Sequence, residues 1–328
     1  MKIKFFIASI LVLLISSLFY WPSIVKAATV VNTFQITSEG SQQTSPFIYN
    51  NLVVYASLSD IWGYDLETNA NFPILEKENQ QFTTGFYKNL IIYENSSPDL
   101  STDVYMYNLT NNKDTLVAGG TGSQGNGVTN GKVVVYIDGG ACGSLHAYNI
   151  KEKTTSQTSD TACSPVRISG DNVVWAYAAP GGTNIYGYNL KDNSPFDVIT
   201  DVDFQESPNI FENKAVWLHY TTGAYGDYNA IKLKDLNTGE VKTIYESSTD
   251  SLQSPSVSNK YVVWSQSSAQ HVGGVRGANL KTGEVFEVQP QGPHQNSHTS
   301  TSIWKDTAVW MSWRTGNGDI YGAIFNKE

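Results

Sequence analysis

A short apolar run that ends in tyrosine or tryptophan occurs seven times along this 328-residue chain. The closing aromatic residues lie 38 to 47 positions apart, at Tyr55, Tyr93, Tyr136, Trp175, Trp217, Trp264 and Trp310. Runs of β-branched residues bounded by polar turns are typical of buried strands. A repeat of about 40 to 45 residues built on such strands is typical of a β-propeller, in which each repeat forms one blade. The spacing therefore predicts an all-β fold, a seven-bladed β-propeller of four-stranded antiparallel blades.

Residues 254–288 show how one repeat divides into four strands. A short strand over 254–258 precedes a buried strand over 261–265, and two more are predicted over 274–280 and 285–288. Polar and glycine-bearing turns separate them. In several repeats the third strand has a central glycine, at Gly63, Gly187, Gly277 and Gly322. We expect these glycines to allow close backbone approach between packed sheets.

The last repeat ends at Glu328, directly after its third strand, so its fourth strand has to come from another part of the chain. Residues 30–37 are a candidate, because they precede Ser45-Pro46 by nearly the same offset as strand 196–200 precedes Ser207-Pro208. We therefore predict that the N-terminal strand completes the last blade and closes the ring. Closure of this kind removes open sheet edges that would pair with other chains.

The repeat combines Ser-Pro, a polar turn, a Val-Val-aromatic strand and an Asp-Ile-Tyr-like strand that ends in leucine before the next turn. In this combination it resembles the TolB-like β-propeller repeat over essentially the whole chain after residue 27. The Ser-Pro-Asp-Gly turn of that family is replaced here by turns such as 258–260 and 169–171. The resemblance implies a stand-alone relative without the N-terminal domain of TolB, so no role in the Tol envelope complex is carried over.

Residues 1–27 have the composition of a signal peptide. Lys2 and Lys4 precede an apolar run over 5–20, and Val25 and Ala27 occupy the −3 and −1 positions of a cleavage site. The alternative is a retained N-terminal anchor. No later stretch reaches the roughly 18 apolar residues of a membrane span. We expect a secreted or extracytoplasmic protein whose residues 28–328 form a single propeller domain.

The charge balance argues against anionic polymers as partners. The chain has a net charge of −9, and removal of the first 27 residues takes away three lysines and no acid, which lowers it to −12. Nucleic acids and anionic membrane surfaces require clustered lysine and arginine. The sequence also lacks a Gly-x-Ser-x-Gly elbow, a phosphate-binding glycine loop and a His-Glu-x-x-His motif. No complete catalytic constellation is therefore predicted.

The loops between the second and third strands, and those between blades, share one face and are the longer ones. We call this the long-loop face; it includes 94–102, 137–143, 176–183, 218–228, 265–273 and 311–318. Binding residues are concentrated on loops above a rigid scaffold. The predicted ligand-binding residues there are Tyr177, His219, Tyr220, Tyr225, His271, His298, Trp313 and Arg314. Trp313 and Arg314 are the strongest, because large side chains after the buried strand need not serve the core.

Twelve positions before each closing aromatic lies a column rich in glutamine. Its members are Gln43, Gln81, Gln124, Cys163, Gln205, Leu252 and His298, and Gln253 follows one place after Leu252. We expect these positions at the channel mouth on the long-loop face. Two interpretations remain open. The repetition favours amides that bond backbone in the neighbouring blade, whereas a ring of Gln43, Gln81, Gln124, Gln205, Gln253 and His298 would line a polar mouth for a ligand or ion.

The two cysteines, Cys142 and Cys163, both map to the long-loop face. In an exported protein a cysteine pair is more often a disulfide than a metal or catalytic site. We predict a bridge between them, which would contribute about 3 kcal/mol under the chain-entropy model.

The leading functional hypothesis is a secreted, monomeric, non-catalytic binding or scaffold propeller at the cell envelope. Its long-loop face would engage a protein, peptide or glycan, with no nucleic acid partner and no required cofactor. The alternative is a polysaccharide lyase or hydrolase with a carboxylate or metal site at the channel mouth. A bound metal ion would then be held by His219, His271, His294 and His298 together with Gln205 or Gln253. A purely structural ring within a larger surface assembly is a third hypothesis.

Overall fold

The computed structural model describes residues 29–38, 40–97, 101–221, 229–268, 273–290, 298–313 and 316–327. Regular structure within these ranges consists of 27 β-strands, without a helix. No described stretch therefore forms a helix with the length and apolar composition needed to cross a bilayer. The predicted signal peptide, 1–27, lies outside the described residues, and its cleavage stays a prediction.

Three sheets are antiparallel meanders of four strands, each strand pairing with the next along the chain. The first contains β2 (Gln43–Tyr49), β3 (Leu52–Ser57), β4 (Asp60–Asp65) and β5 (Ala70–Leu75). The second contains β6 (Gln81–Tyr87), β7 (Leu90–Ser96), β8 (Thr102–Asn108) and β9 (Lys113–Ala118). The third contains β21 (Asp250–Val257), β22 (Tyr261–Ser268), β23 (Gly274–Asn279) and β24 (Val285–Gln289).

A larger sheet joins three further meanders, the first two through one long strand and the last two through a parallel pairing of Thr183 with Phe204. Its strands are β10 (Gln124–Thr129), β11 (Val133–Asp138), β12 (Cys142–Asn149), β13 (Thr154–Ser169), β14 (Asn172–Ala179), β15 (Gly182–Asn189), β16 (Ser194–Ile199), β17 (Phe204–Phe211), β18 (Lys214–Tyr220), β19 (Asn229–Asp235) and β20 (Val241–Ser247). The first half of β13 pairs with β12 as the fourth strand of one meander. Its second half pairs with β14 as the first strand of the next.

The last sheet combines both ends of the described chain. It contains β25 (His298–Trp304), β26 (Thr307–Ser312), β27 (Asp319–Lys327) and β1 (Thr29–Gln35). β1 runs antiparallel to β27, with Thr29 opposite Lys327 and Gln35 opposite Tyr321. Thr29 also bonds to the next sheet, because its backbone N–H and its hydroxyl donate to the two carboxylate oxygens of Glu284 at 3.1 and 2.9 Å.

The closing aromatics of the repeated run lie on the second strand of each meander and fill the spaces between sheets. Trp217, Trp264 and Trp310 are completely buried. Trp310 packs with Tyr261 and other residues of the preceding sheet. Burial of one such side chain contributes about 1.5–3 kcal/mol. The all-β class and the four-stranded antiparallel sheets predicted from the repeat are thus confirmed.

The third-strand glycines serve a different packing role from the predicted one. Each lies directly opposite a phenylalanine of its own sheet's fourth strand, in the pairs Gly63–Phe72, Gly187–Phe196, Gly277–Phe286 and Gly322–Phe34. A Cβ at these glycines would lie 2.3 to 2.7 Å from the facing ring. The close approach is therefore between a glycine and a ring within one sheet, rather than between two sheets.

Candidate functional site

The first strand of each meander lies innermost, and these strands enclose an axial channel. One part is a cavity of about 380 Å³ and an adjoining part has about 340 Å³. The two parts share the lining residues Phe47, Arg167, Asn209, Ser256 and Thr301. The lining is drawn from β2, β6, β10, β13, β17, β21 and β25. The channel is therefore lined by strands from all five described sheets.

The Ser-Pro motifs form bulges of the inner strands at this channel. Ser45, Ser207 and Ser254 have φ values of 52°, 50° and 48°, a backbone conformation that residues other than glycine rarely adopt. The pairing register shifts at each of them. The bulges are also tied across sheets, because the Thr83 hydroxyl donates to Ser45 O at 2.6 Å. Bulges of this kind re-aim side chains next to functional sites.

Aromatic side chains surround the channel end at which the first strands turn into the second strands. We call this end the aromatic mouth, lined by Tyr49, Phe86, Tyr87, Phe211 and Trp304. Each ring is partly exposed. The centroid of the Tyr49 ring lies 4.1 Å from that of Trp304 and 5.0 Å from that of Tyr87. The ring centroids of Phe211 and Trp304 are 6.1 Å apart. Within the described residues, neither the Tyr49 nor the Tyr87 hydroxyl has a hydrogen-bond partner.

The aromatic mouth lies at the opposite end of the blades from the long-loop face. A sequence signal for the aromatic mouth exists, but it lies outside the long loops. Six positions before each closing aromatic lies the last inner-strand residue or a neighbouring turn residue. That column holds Tyr49, Tyr87, Asn130, Ser169, Phe211, Ser258 and Trp304.

Arg167 carries the positive charge within the channel and lines both of its parts. Burial lowers the pKa of its guanidinium to about 10, so the group remains charged at neutral pH. Its Nη1 donates to Val166 O at 2.8 Å. Although inner strands surround it, the side chain keeps partial exposure to the channel. Among the channel-lining residues the one carboxylate is the exposed Glu212 at the aromatic mouth.

The glutamine column is buried. Gln43, Gln81, Gln124 and Gln205 are at most 5% exposed. Each bonds the side chain directly opposite it on the second strand of its own blade, which is Ser57, Asn95, Asp138 or His219. The paired atoms are 2.9 to 3.5 Å apart.

This burial contradicts the interpretation as an open ring, because buried amides do not line a channel mouth. The packing interpretation holds in part. The amides of Gln43 and Gln81 also donate to backbone oxygens of the segments that lead into their blades, and Gln43 accepts from Thr37, whose hydroxyl accepts from Ile320 N of the last sheet. Gln253 is exposed, whereas Leu252 fills the buried position of the column in that blade. The side chain of His298 lies outside the described residues.

His219 is a buried strand residue rather than an exposed loop ligand. It is 4% exposed on β18, and its Nδ1 lies 2.9 Å from Gln205 Oε1. Since an amide oxygen accepts, the hydrogen is assigned to Nδ1. Trp217 Nε1 donates to the same oxygen at 3.1 Å. Burial, aided by Lys232, lowers the pKa of His219, although Asp203 and Asp201 act in the opposite direction.

The other predicted ligand-binding residues divide into two groups. Tyr220 donates to Glu206 Oε1 at 2.6 Å and stacks on Phe204, while Tyr177 and Trp313 are partly exposed and pack against the core. Tyr225, His271 and Arg314 lie outside the described residues, as does His294, which is predicted only as a metal ligand of the alternative hypothesis. The binding role of the long-loop face therefore stays a prediction. Among the described residues no group of three histidine, cysteine or acidic side chains is arranged to hold a metal ion.

The structure joins Cys142 and Cys163 in a disulfide. They lie opposite each other on β12 and β13, with Cα atoms 4.1 Å apart. The bridge fixes β13 at the point where it passes from one meander to the next.

No protein-family model matches this chain, and no curated protein matches it. Among solved structures, the β-propeller domain of the Trilobed protease from Pyrococcus furiosus is similar, with a TM-score of 0.68 at 9% identity. The match covers 89% of this chain and 96% of that one. This similarity shows that the chain has a β-propeller fold.

Two enzymes of known structure contain a similar propeller. An oligogalacturonate lyase in complex with manganese has a TM-score of 0.59 at 11% identity, with 92% of this chain and 98% of that chain covered. The acylaminoacyl peptidase of Pyrococcus horikoshii has a TM-score of 0.62 at 11% identity, and here 83% of this chain matches 49% of the peptidase. Identities this low show the fold alone.

Proposed function

We propose that this chain is a secreted, non-catalytic binding protein built as a closed ring of seven blades. Support for the blade number comes from the seven first strands that line the channel. Support for closure comes from Phe34, which covers Gly322 as Phe72, Phe196 and Phe286 cover the third-strand glycines of other blades. The N-terminal strand β1 thus supplies the same residue as a fourth strand.

The ligand of this propeller is a glycan, bound at the aromatic mouth. The observation that carries this proposal is the group of partly exposed aromatic rings around the open end of the channel. Binding sites are concave and lined by aromatic side chains with a few polar groups that fix orientation. Tyrosine and tryptophan provide an apolar face for a sugar ring and a polar atom for its hydroxyls. The free hydroxyls of Tyr49 and Tyr87 are suited to that role.

A glycan-array screen of the purified protein tests this proposal, with Trp304→Ala and Trp313→Ala as a matched pair. Both replacements remove one partly exposed indole, the first at the aromatic mouth and the second next to the long-loop face. We expect Trp304→Ala to weaken glycan binding at least about tenfold, the scale of a binding hot spot, and Trp313→Ala to leave it unchanged. Unchanged thermal unfolding midpoints would show that both variants are folded.

Two outcomes would contradict the proposal. Loss of binding in Trp313→Ala alone would place the site on the long-loop face. Absence of binding to any glycan by the folded wild-type protein would remove the glycan as the ligand.

A further inference from the structure

The channel holds an arginine without a counter-ion. The chain contains three arginines, Arg167, Arg276 and Arg314. Within the described part of the chain, Arg167 forms no ion pair, and Val166 O is the one acceptor of its N–H groups. Glu212 lines the same cavity, yet its carboxylate does not pair with the guanidinium. Most of the five guanidinium donors are therefore left to face the channel.

The guanidinium of Arg167 is less well solvated than that of a surface arginine, although it keeps partial exposure to the channel. Removal of a charge from water is unfavourable, so an anion that enters the channel would find a poorly compensated cation there. A structural arginine at such a place is normally paired with a carboxylate, whereas Glu212, the one carboxylate among the described lining residues, does not pair with Arg167. The planar fork of a guanidinium matches the two oxygens of a carboxylate and also binds phosphate.

We infer that the axial channel is an oxyanion-binding site in which Arg167 binds an acidic group of the ligand. The sugar part of this inference rests on the proposed function, whereas the anion site does not. Arg167 lines both parts of the channel, and Phe211 and Trp304 line the part that opens at the aromatic mouth. A ligand with one acidic end would therefore place that end on Arg167 and its body against the aromatic rings.

The charge of the whole chain limits the ligand further. A net charge of −9 disfavours a polyanion at long range, because like charges repel over a Debye length of about 10 Å at 0.1 M salt. A single positive group inside the channel acts only at contact distance. The site therefore suits a short ligand with one acidic group, such as a saccharide that ends in a uronic acid, better than a highly charged polysaccharide.

Selective isotope labelling of arginine allows a direct test with the wild-type protein. Three Nε–Hε signals are expected, and Arg167→Lys identifies the one that belongs to Arg167. The probes are sodium glucuronate, inorganic phosphate and glucose at constant ionic strength. We expect the Arg167 signal to shift in a saturable manner with glucuronate, with at least about tenfold weaker response to glucose, because charge-assisted hydrogen bonds are the strong ones. Arg276 and Arg314 serve as internal controls.

The results distinguish a carboxylate from a phosphate ligand, and they test the anion site independently of the proposed glycan binding. Saturation by glucuronate alone supports a carboxylate site, and saturation by phosphate as well supports a general oxyanion site. An unresponsive Arg167 signal, or equal shifts of all three arginines, would overturn the inference. Trp304-dependent binding of the protein to neutral glycans on the array would then still support the proposed function. A responsive Arg167 signal without binding to any glycan on the array would contradict only the proposal that the ligand is a glycan.

Discussion

At the scale of single residues, the polar side chains at the beginning of the inner strands are structural. Gln205 accepts hydrogen bonds from both Trp217 and His219, so one buried amide satisfies two ring nitrogens. A buried polar group left without its partner costs about 1–3 kcal/mol. Gln43, Gln81 and Gln124 instead donate through Nε2 to a side-chain oxygen on the second strand. The recurring glutamine thus joins the first two strands of its blade, although with different ends of the amide.

His219 predicts a pH dependence of stability. Because burial lowers its pKa in the folded state, the unfolded chain binds a proton more readily below about pH 6.5. The free energy of unfolding is then highest above that pH and falls on acidification, by up to about 1.4 kcal/mol per pH unit until the folded-state pKa is reached. Thermal unfolding at pH 7.5 and 5.5 measures this. We expect His219→Gln, which keeps a donor for Gln205, to show a smaller loss on acidification than the wild type. An identical pH dependence in both would show that His219 does not contribute.

At the scale of elements, the glycine–phenylalanine pairs fix how the fourth strand packs on the third. At Gly187 an added Cβ would lie 2.3 Å from atoms of the Phe196 ring, which would have to move. We expect Gly187→Ala to destabilise the protein by about 1–3 kcal/mol, the usual cost of overpacking. Chemical denaturation measures the change. Gly40→Ala is the control, because no atom lies within 4 Å of a Cβ there.

A second replacement tests the cause of that loss. If the ring is responsible, Gly187→Ala combined with Phe196→Leu should cost less than the sum of the two single variants. Simple additivity would mean that the strand conformation, rather than the facing ring, accounts for the effect.

The strands were predictable because their signal is local and repeated, whereas the site depends on how the repeats assemble. Eight positions before each closing aromatic, the inner strands carry Phe47, Gly85, Val128, Arg167, Asn209, Ser256 and Ser302. Arg167 is the one charged member of this column. That this column faces a common channel depends on how all the sheets assemble, and it is not encoded within any one repeat. The buried Gln43 and Gln205 were placed in the correct blade position, yet their partners could not be read from spacing alone.

At the scale of the whole molecule, the N-terminal strand connects the two ends of the chain. β1 pairs with β27 over seven residues, and Thr29 bonds Glu284 in the adjacent sheet. If this pairing closes the ring, deletion of residues 29–36 should lower the thermal unfolding midpoint and expose the edge of β27. An exposed edge pairs with other chains, so we expect oligomers by light scattering.

Addition of a synthetic peptide of residues 29–37 provides the control for this deletion. We expect it to restore the monomer and part of the lost stability, because it can rebuild the missing strand. A shortened protein that stays monomeric with an unchanged unfolding midpoint would show that β1 is dispensable for closure.

The continuous strand β13 limits how this chain can be divided into parts. Residues 154–169 join two meanders without a loop, and the disulfide between Cys142 and Cys163 clamps the passage from one to the other. Proteases and circular permutation act at exposed loop tips, and no such tip lies at this boundary. The two meanders on either side of β13 are thus the smallest excisable piece of this region, and its natural modular unit is a pair of blades.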